Sequence, residues 1–206
     1  MNKQGASLSA AAGHVVDLYR LFRFQPRNPH SYSKFRQIKA LAQRSGARVL
    51  VEAGTYVGNT AMRCSRVFER VITIELDPDL FSQASQYLSG RKNVECLQGD
   101  ALALLPQVLE RADVSDVLVF LDGHFSGPGT AHGGVAEPAC EEIEVLAGHR
   151  DKIAAFIVDD FRCFGRDKGW PTRFELLRAV ESFFGKEFEY TIHMDQLLVW
   201  RNPSRI

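Results

Sequence analysis

From Arg48 onward, short β-branched runs alternate with stretches whose apolar residues recur at helical spacing, and this alternation leaves the chain few folds to choose from. The runs lie at 49–52, 71–75, 94–97, 117–121 and 154–158, and the helical stretches between them at 60–68, 78–88, 101–110 and 137–149. Strands joined by crossover helices lie parallel. A further helix at 172–184 precedes two runs, 187–193 and 196–200, joined across Met194 and Asp195 with the spacing of a closing hairpin. The expected architecture is α/β: a Rossmann-like three-layer sandwich whose seven-stranded, mostly parallel sheet ends in an antiparallel hairpin. Two further helical patterns come first, at 8–24 and 32–44, separated by Pro26, Asn28 and Pro29. They either cover one end of the sheet or form a lid or homodimer contact through Phe22, Phe24 and Tyr32. Residues 1–46 are therefore read as an N-terminal helical cap and 47–206 as the main domain, in one compact unit. A chain of this length buries roughly 70% of the surface that it exposes when unfolded.

Charge and cysteine content exclude several partners. Lys plus Arg and Asp plus Glu number 25 each, and no basic stripe is interleaved with aromatics, which argues against nucleic acid. No apolar run approaches the ~18 residues of a membrane span, and the N-terminus lacks an apolar leader core, so a soluble cytoplasmic protein is expected. Cys64, Cys96, Cys140 and Cys163 are far apart, without a C-x-x-C pair, and read as reduced thiols.

In an open parallel sheet the ligand lies beyond the carboxyl ends of the strands. The first strand ends in Glu52-Ala53-Gly54, the second in Glu75-Leu76-Asp77, the third in Gly99-Asp100, the fourth in Asp122-Gly123-His124 and the fifth in Asp159-Asp160. Any one of these acids is an ordinary turn or helix-cap residue. One at every strand end points to a ligand. A dinucleotide needs G-x-G-x-x-G at the first turn, but the stretch after Glu52 reads A-G-T-Y-V-G-N-T, with Tyr56 at the second glycine position. A ring of carboxylates would also repel a pyrophosphate. S-adenosylmethionine carries a sulfonium and an ammonium and no phosphate, so an acidic rim with one close backbone approach suits it better. A nucleotide-dependent oxidoreductase is the weaker reading.

On these residues, 48–158 resembles a class I S-adenosylmethionine-dependent methyltransferase, and the closing hairpin resembles the sixth and seventh strands of that fold. The family's first motif, an acid followed by G-x-x-x-G, matches Glu52, Gly54 and Gly58. The resemblance implies that Gly54, Thr55 and Gly58 line the methionine part of the cofactor, with Asn59 nearby. It implies that Glu75 accepts both ribose hydroxyls, and that Asp100, after Gly99, reaches the adenine amino group; Asp100 would equally serve as a helix cap. The pattern F-L-D-G-H after the fourth strand, with V-D-D after the fifth, resembles divalent-metal-dependent O-methyltransferases. By that likeness Asp122, Asp159 and Asp160 would hold Mg2+ or another divalent cation. The alternative is that Asp122 sits near the cofactor while the acid pair shapes a loop.

The small-phenol members place a lysine shortly after the fourth-strand acid, and this chain has His124, Phe125 and Ser126 there. His124 is left as the candidate base, because an imidazole with a pKa of about 6.5 takes a hydroxyl proton near neutrality. His132 is a second histidine for this edge. The stretch 123–134, with five glycines and a proline, reads as a loop over the acceptor. In 161–170, Arg162, Arg166 and Lys168 are candidates to meet an anionic acceptor. The function expected is methyl transfer to an oxygen of a small molecule, such as a sugar, a phenol or a secondary metabolite, with Asp122 and His124 as catalytic residues. A binding or regulatory protein that kept the cofactor fold and lost catalysis is the alternative.

Overall fold

The structure, a computed structural model, describes residues 8–23, 28–123 and 137–202. Among the described residues there are seven strands: β1 (Val49–Ala53), β2 (Arg70–Glu75), β3 (Val94–Gln98), β4 (Val117–Leu121), β5 (Ile153–Val158), β6 (Phe188–His193) and β7 (Gln196–Arg201). They form one sheet in the order β3-β2-β1-β4-β5-β7-β6, with β1 to β5 parallel and β7 antiparallel to both of its neighbours. Every residue of β1, β4 and β5 is buried, which is why these strands read as unbroken apolar runs.

Alternate residues of each strand face opposite layers. Leu50, Leu118, Phe120, Ala155 and Ile157 pack with Ile38, Leu41 and Ala42 of α2 (Ser31–Ser45) and with α3 (Asn59–Cys64). Val51, Val119 and Phe156 pack with α5 (Ala101–Glu110), α6 (Ala139–Gly148) and α7 (Arg173–Phe184) through Leu105, Ile143 and Phe184. The second N-terminal helix thus shares a core with the sheet. The first, α1 (Leu8–Phe22), packs on α2 through Asp17, which accepts from His30 N at 2.8 Å. Element ends differ from the expected ranges by a few residues, and two of these differences have a visible cause. α3 stops at Cys64 instead of running to Phe68, and the side-chain amide of Asn93 binds the carbonyls of Ser65 and Phe68 at 2.9 and 3.0 Å. α6 begins after Pro138, whose ring removes an amide hydrogen and stands at the cap position.

Three features position the site. The sheet order reverses between β1 and β4, which opens a crevice at their carboxyl ends. α2 ends at Gly46, in the left-handed conformation at φ 74, and only residues 46–48 separate it from β1. So short a link makes α2 run antiparallel to β1 and brings its N-terminal turn to the same edge. The hairpin between β6 and β7 turns through Met194 and Asp195, both at positive φ (47 and 66), as a two-residue type I′ turn requires. Because β7 is antiparallel to β5, this turn also sits at the carboxyl edge. Among the described residues no helix is long and apolar enough to cross a membrane.

Candidate functional site

The glycine loop after β1 is built by backbone that other residues adopt poorly. Gly54 has φ 92, and a Cβ there would lie 2.4 Å from the carbonyl oxygen of Asp122, so the loop crosses the end of β4 at backbone distance. Tyr56 sits at φ 50, and this turns its amide onto the Oε2 of Glu75 at 2.7 Å. The amide of Asp77 donates to the other oxygen, Oε1, at 3.0 Å. Glu75 is thereby clamped at the end of β2. A carboxylate has about four acceptor positions, so each oxygen can still accept from a ligand. Gly99 donates its amide to the carbonyl of Glu75 at 2.9 Å. Asp100 is a helix cap: its Oδ1 accepts from Leu102 N at 2.9 Å and opens α5, as Asp77 opens α4 (Pro78–Leu88). Asn59 is exposed at the start of α3.

Glu52 and Thr55 turn the other way. Their side chains are buried beneath the loop in one chain of hydrogen bonds: the Thr55 hydroxyl lies 2.6 Å from that of Thr73, which donates to Glu52 Oε2 at 2.7 Å. Burial pushes the Glu52 carboxyl up to about 8, against the opposing bond from Thr73, so it is protonated near neutrality. The edge therefore gathers Gly54, Gly58, Glu75, Gly99, Asp100 and Asp122, while the side chains of Glu52 and Thr55 support the loop from below. His124 and His132 lie outside the described residues, as does most of the 123–134 loop.

The acids after β4 and β5 have a partner that the sequence reading missed. Lys34, in the first turn of α2, puts its Nζ 3.3 and 3.2 Å from Oδ1 and Oδ2 of Asp122, and it also pairs with Asp159. Asp159 has no exposed surface, and its Oδ1 accepts from Gln196 Nε2 at 3.0 Å. Burial lowers the lysine pKa, but Asp159 and then Asp122 outweigh it and hold the ammonium well above the usual lysine range. Asp160, at φ 52, joins a different set: Arg162 pairs with its Oδ1 at 2.7 Å and with Asp195, whose Oδ1 also accepts from Arg162 N at 2.7 Å. Arg162 is thus committed within the protein, while Arg166 and Lys168 are exposed. The stretch 161–170 is anchored, with Phe164 and Trp170 edge to face at 5.1 Å.

This arrangement does not fit a divalent cation held by Asp122, Asp159 and Asp160. An ammonium stands between the first two, and the third is bound to a guanidinium. Among the described residues no three of His, Cys, Asp and Glu are grouped to hold a metal. Lys34 left a signal in the sequence. It lies four residues before Ile38 and seven before Leu41, on the apolar stripe of its helix, where a cation needs a buried acid.

No protein-family model matches the chain. Over 66 residues it is 36% identical to a probable ribosomal RNA small subunit methyltransferase A of Methanosarcina mazei, covering 32% of this chain and 24% of that protein. Over 92 residues it is 30% identical to catechol O-methyltransferase of Sus scrofa, covering 41% of this chain and 50% of that protein. The chain thus spans between a quarter and a half of these curated relatives. Among solved structures, an O-methyltransferase from Bacillus cereus in complex with SAH superposes with a TM-score of 0.63 at 16% identity, covering 93% of this chain and 99% of that one. The fold is that of the class I S-adenosylmethionine-dependent methyltransferases.

Proposed function

We propose that the protein transfers a methyl group from S-adenosylmethionine to an oxygen of a small-molecule acceptor. The observation that carries this reading is Glu75, clamped through both oxygens by the Tyr56 and Asp77 amides beside a glycine loop at the reversal of strand order. A fixed carboxylate suits a ribose diol, and an acidic edge suits a cationic cofactor. The likeness to catechol O-methyltransferase and to the Bacillus cereus enzyme supports oxygen as the acceptor atom.

When bound, the cofactor supplies an activated methyl group on its sulfonium. The chain's part is to hold the two reactants. Gly54 and Gly58 let the loop backbone approach the methionine portion, Glu75 orients the ribose and Asp100 faces the adenine. Asp122, at the end of β4 against the glycine loop, stands where methionine portion and acceptor meet. Most of the acceleration then comes from near-attack geometry. His124, two residues beyond Asp122 in the chain, is the proposed base for the acceptor hydroxyl.

The test is a calorimetric titration with S-adenosylhomocysteine, with NAD as control. Binding of the former alone is expected, and Glu75→Gln should weaken it roughly 10- to 100-fold, the range for losing a hydrogen bond to a charged group. An unaltered affinity in Glu75→Gln, or binding of NAD instead, would sink the reading.

A further inference from the structure

We propose that Lys34 is the resident cation of the acidic edge: it takes the place between Asp122 and Asp159 that a divalent ion would otherwise occupy, so the wild-type chain has no divalent-ion site there. The proposal rests on the methyl-transfer reading only for what the edge is used for. The site itself stands on its own geometry.

Three observations carry it. Asp159 is fully buried, and a buried carboxylate needs a cation or a proton; the Lys34 ammonium reaches it and, at 3.2 Å, Asp122 as well. Lys34 is also not a loose surface side chain. Only 11% of it is exposed, and it rises from the turn just before Ile38, Leu41 and Ala42, which fix α2 against β1, β4 and β5. Finally, the third acid has its own cation. Asp160 and Asp195 share Arg162, so a metal entering this edge would find two carboxylates bridged by one ammonium and the next held by a guanidinium. A divalent ion could enter only by displacing Lys34, and the displaced charge would have to leave a pocket in which it is nine-tenths covered.

Removing the ammonium should therefore create the site it fills. Two carboxylates and water are a donor set that Mg2+ and Mn2+ accept, and Lys34→Ala removes the cation that Asp122 and Asp159 share. The experiment measures Mn2+ binding by the electron paramagnetic resonance of the free ion, on chelator-treated protein. Wild type is expected to bind none at the edge below about 1 mM, while Lys34→Ala binds one ion at least about tenfold tighter, and Lys34→Ala/Asp159→Asn loses it again. S-adenosylhomocysteine affinity of the wild type should be the same with chelator and with Mg2+.

Two results would overturn the proposal. One is a wild-type chain that binds Mn2+ at a site weakened by Asp159→Asn. The other is a folded Lys34→Ala protein that gains no site. If Lys34→Ala does not fold, wild type against Asp159→Asn decides the matter. Failure of S-adenosylhomocysteine to bind at all would count against the cofactor reading and leave the Mn2+ result to judge Lys34.

Discussion

A carboxyl group with almost no exposed surface is driven to keep its proton, and Glu52 is such a group, its pKa lifted to about 8 by burial and its Oε2 held by Thr73. Glu75 adds to the rise and Lys34 opposes it. In the unfolded chain the same carboxyl titrates near its ordinary value of about 4.3. The contribution to stability is fully present below that value. It falls as the pH rises, because the unfolded state ionises while the folded state stays protonated, and it is gone above about pH 8. Glu52→Gln keeps an acceptor for Thr73 and removes the titration. Between pH 5 and pH 8, the loss of unfolding free energy in urea should be smaller in this variant by about 3 kcal/mol; equal losses would mean that Glu52 is ionised in the fold. The residues of the edge differed in how legible they were. Gly54, Glu75 and Asp122 could be named because strand ends in a parallel sheet share one edge. That Glu52 points into the layer below follows from the two-residue period it shares with Leu50, a pattern visible in the sequence but outweighed by the motif around it. The stripe of α2 marks Lys34 as a cation in need of a buried acid, but which acids was hidden: its partners are 88 and 125 positions away, and no local pattern joins them to it.

The hairpin between β6 and β7 does two jobs with one turn. Its position was legible from two runs joined across Met194 and Asp195, whereas its place beside the edge depended on β7 entering the sheet next to β5, which no spacing reveals. Both turn residues adopt left-handed backbone, a conformation that costs roughly 1–2 kcal/mol for residues other than glycine. Met194→Gly should relieve this and raise stability by about 0.5–1 kcal/mol after the entropy of the unfolded glycine is counted. Asp195→Gly relieves the same strain but removes the carboxylate that binds Arg162 by backbone and side chain, and should lower stability by about 1–3 kcal/mol. Opposite signs in urea denaturation would separate turn strain from the anchoring of the loop after β5. A gain in both would show that the carboxylate contributes little, and a loss in both that the turn stores no strain. The shorter α3 was illegible for a similar reason, since the Asn93 amide that holds the following turn arrives from the start of β3.

The crevice is walled by β1, β2 and β3 on one side of the reversal and by β4 on the other, so a ligand bound there ties both halves of the sheet together. Ligand at a hundred times its dissociation constant adds about 2.7 kcal/mol. For a chain of this size that is roughly 5–11 °C in melting temperature, which S-adenosylhomocysteine should produce in a thermal melt. An unchanged melting curve at that excess would place binding outside the cooperative unit. The order of strands along the sheet also has a consequence for the chain as it is being made. β7 lies between β5 and β6, so until 196–201 have emerged β5 is the border of a partial sheet, with its run I-A-A-F-I-V unpaired on one side and Asp159 without Gln196. Exposed apolar edges are where nascent chains associate wrongly. A ribosome pausing late in this message would therefore hold a sheet that is complete on its β3 side and open beside its most acidic strand end, which is the interval in which a chaperone has most to protect.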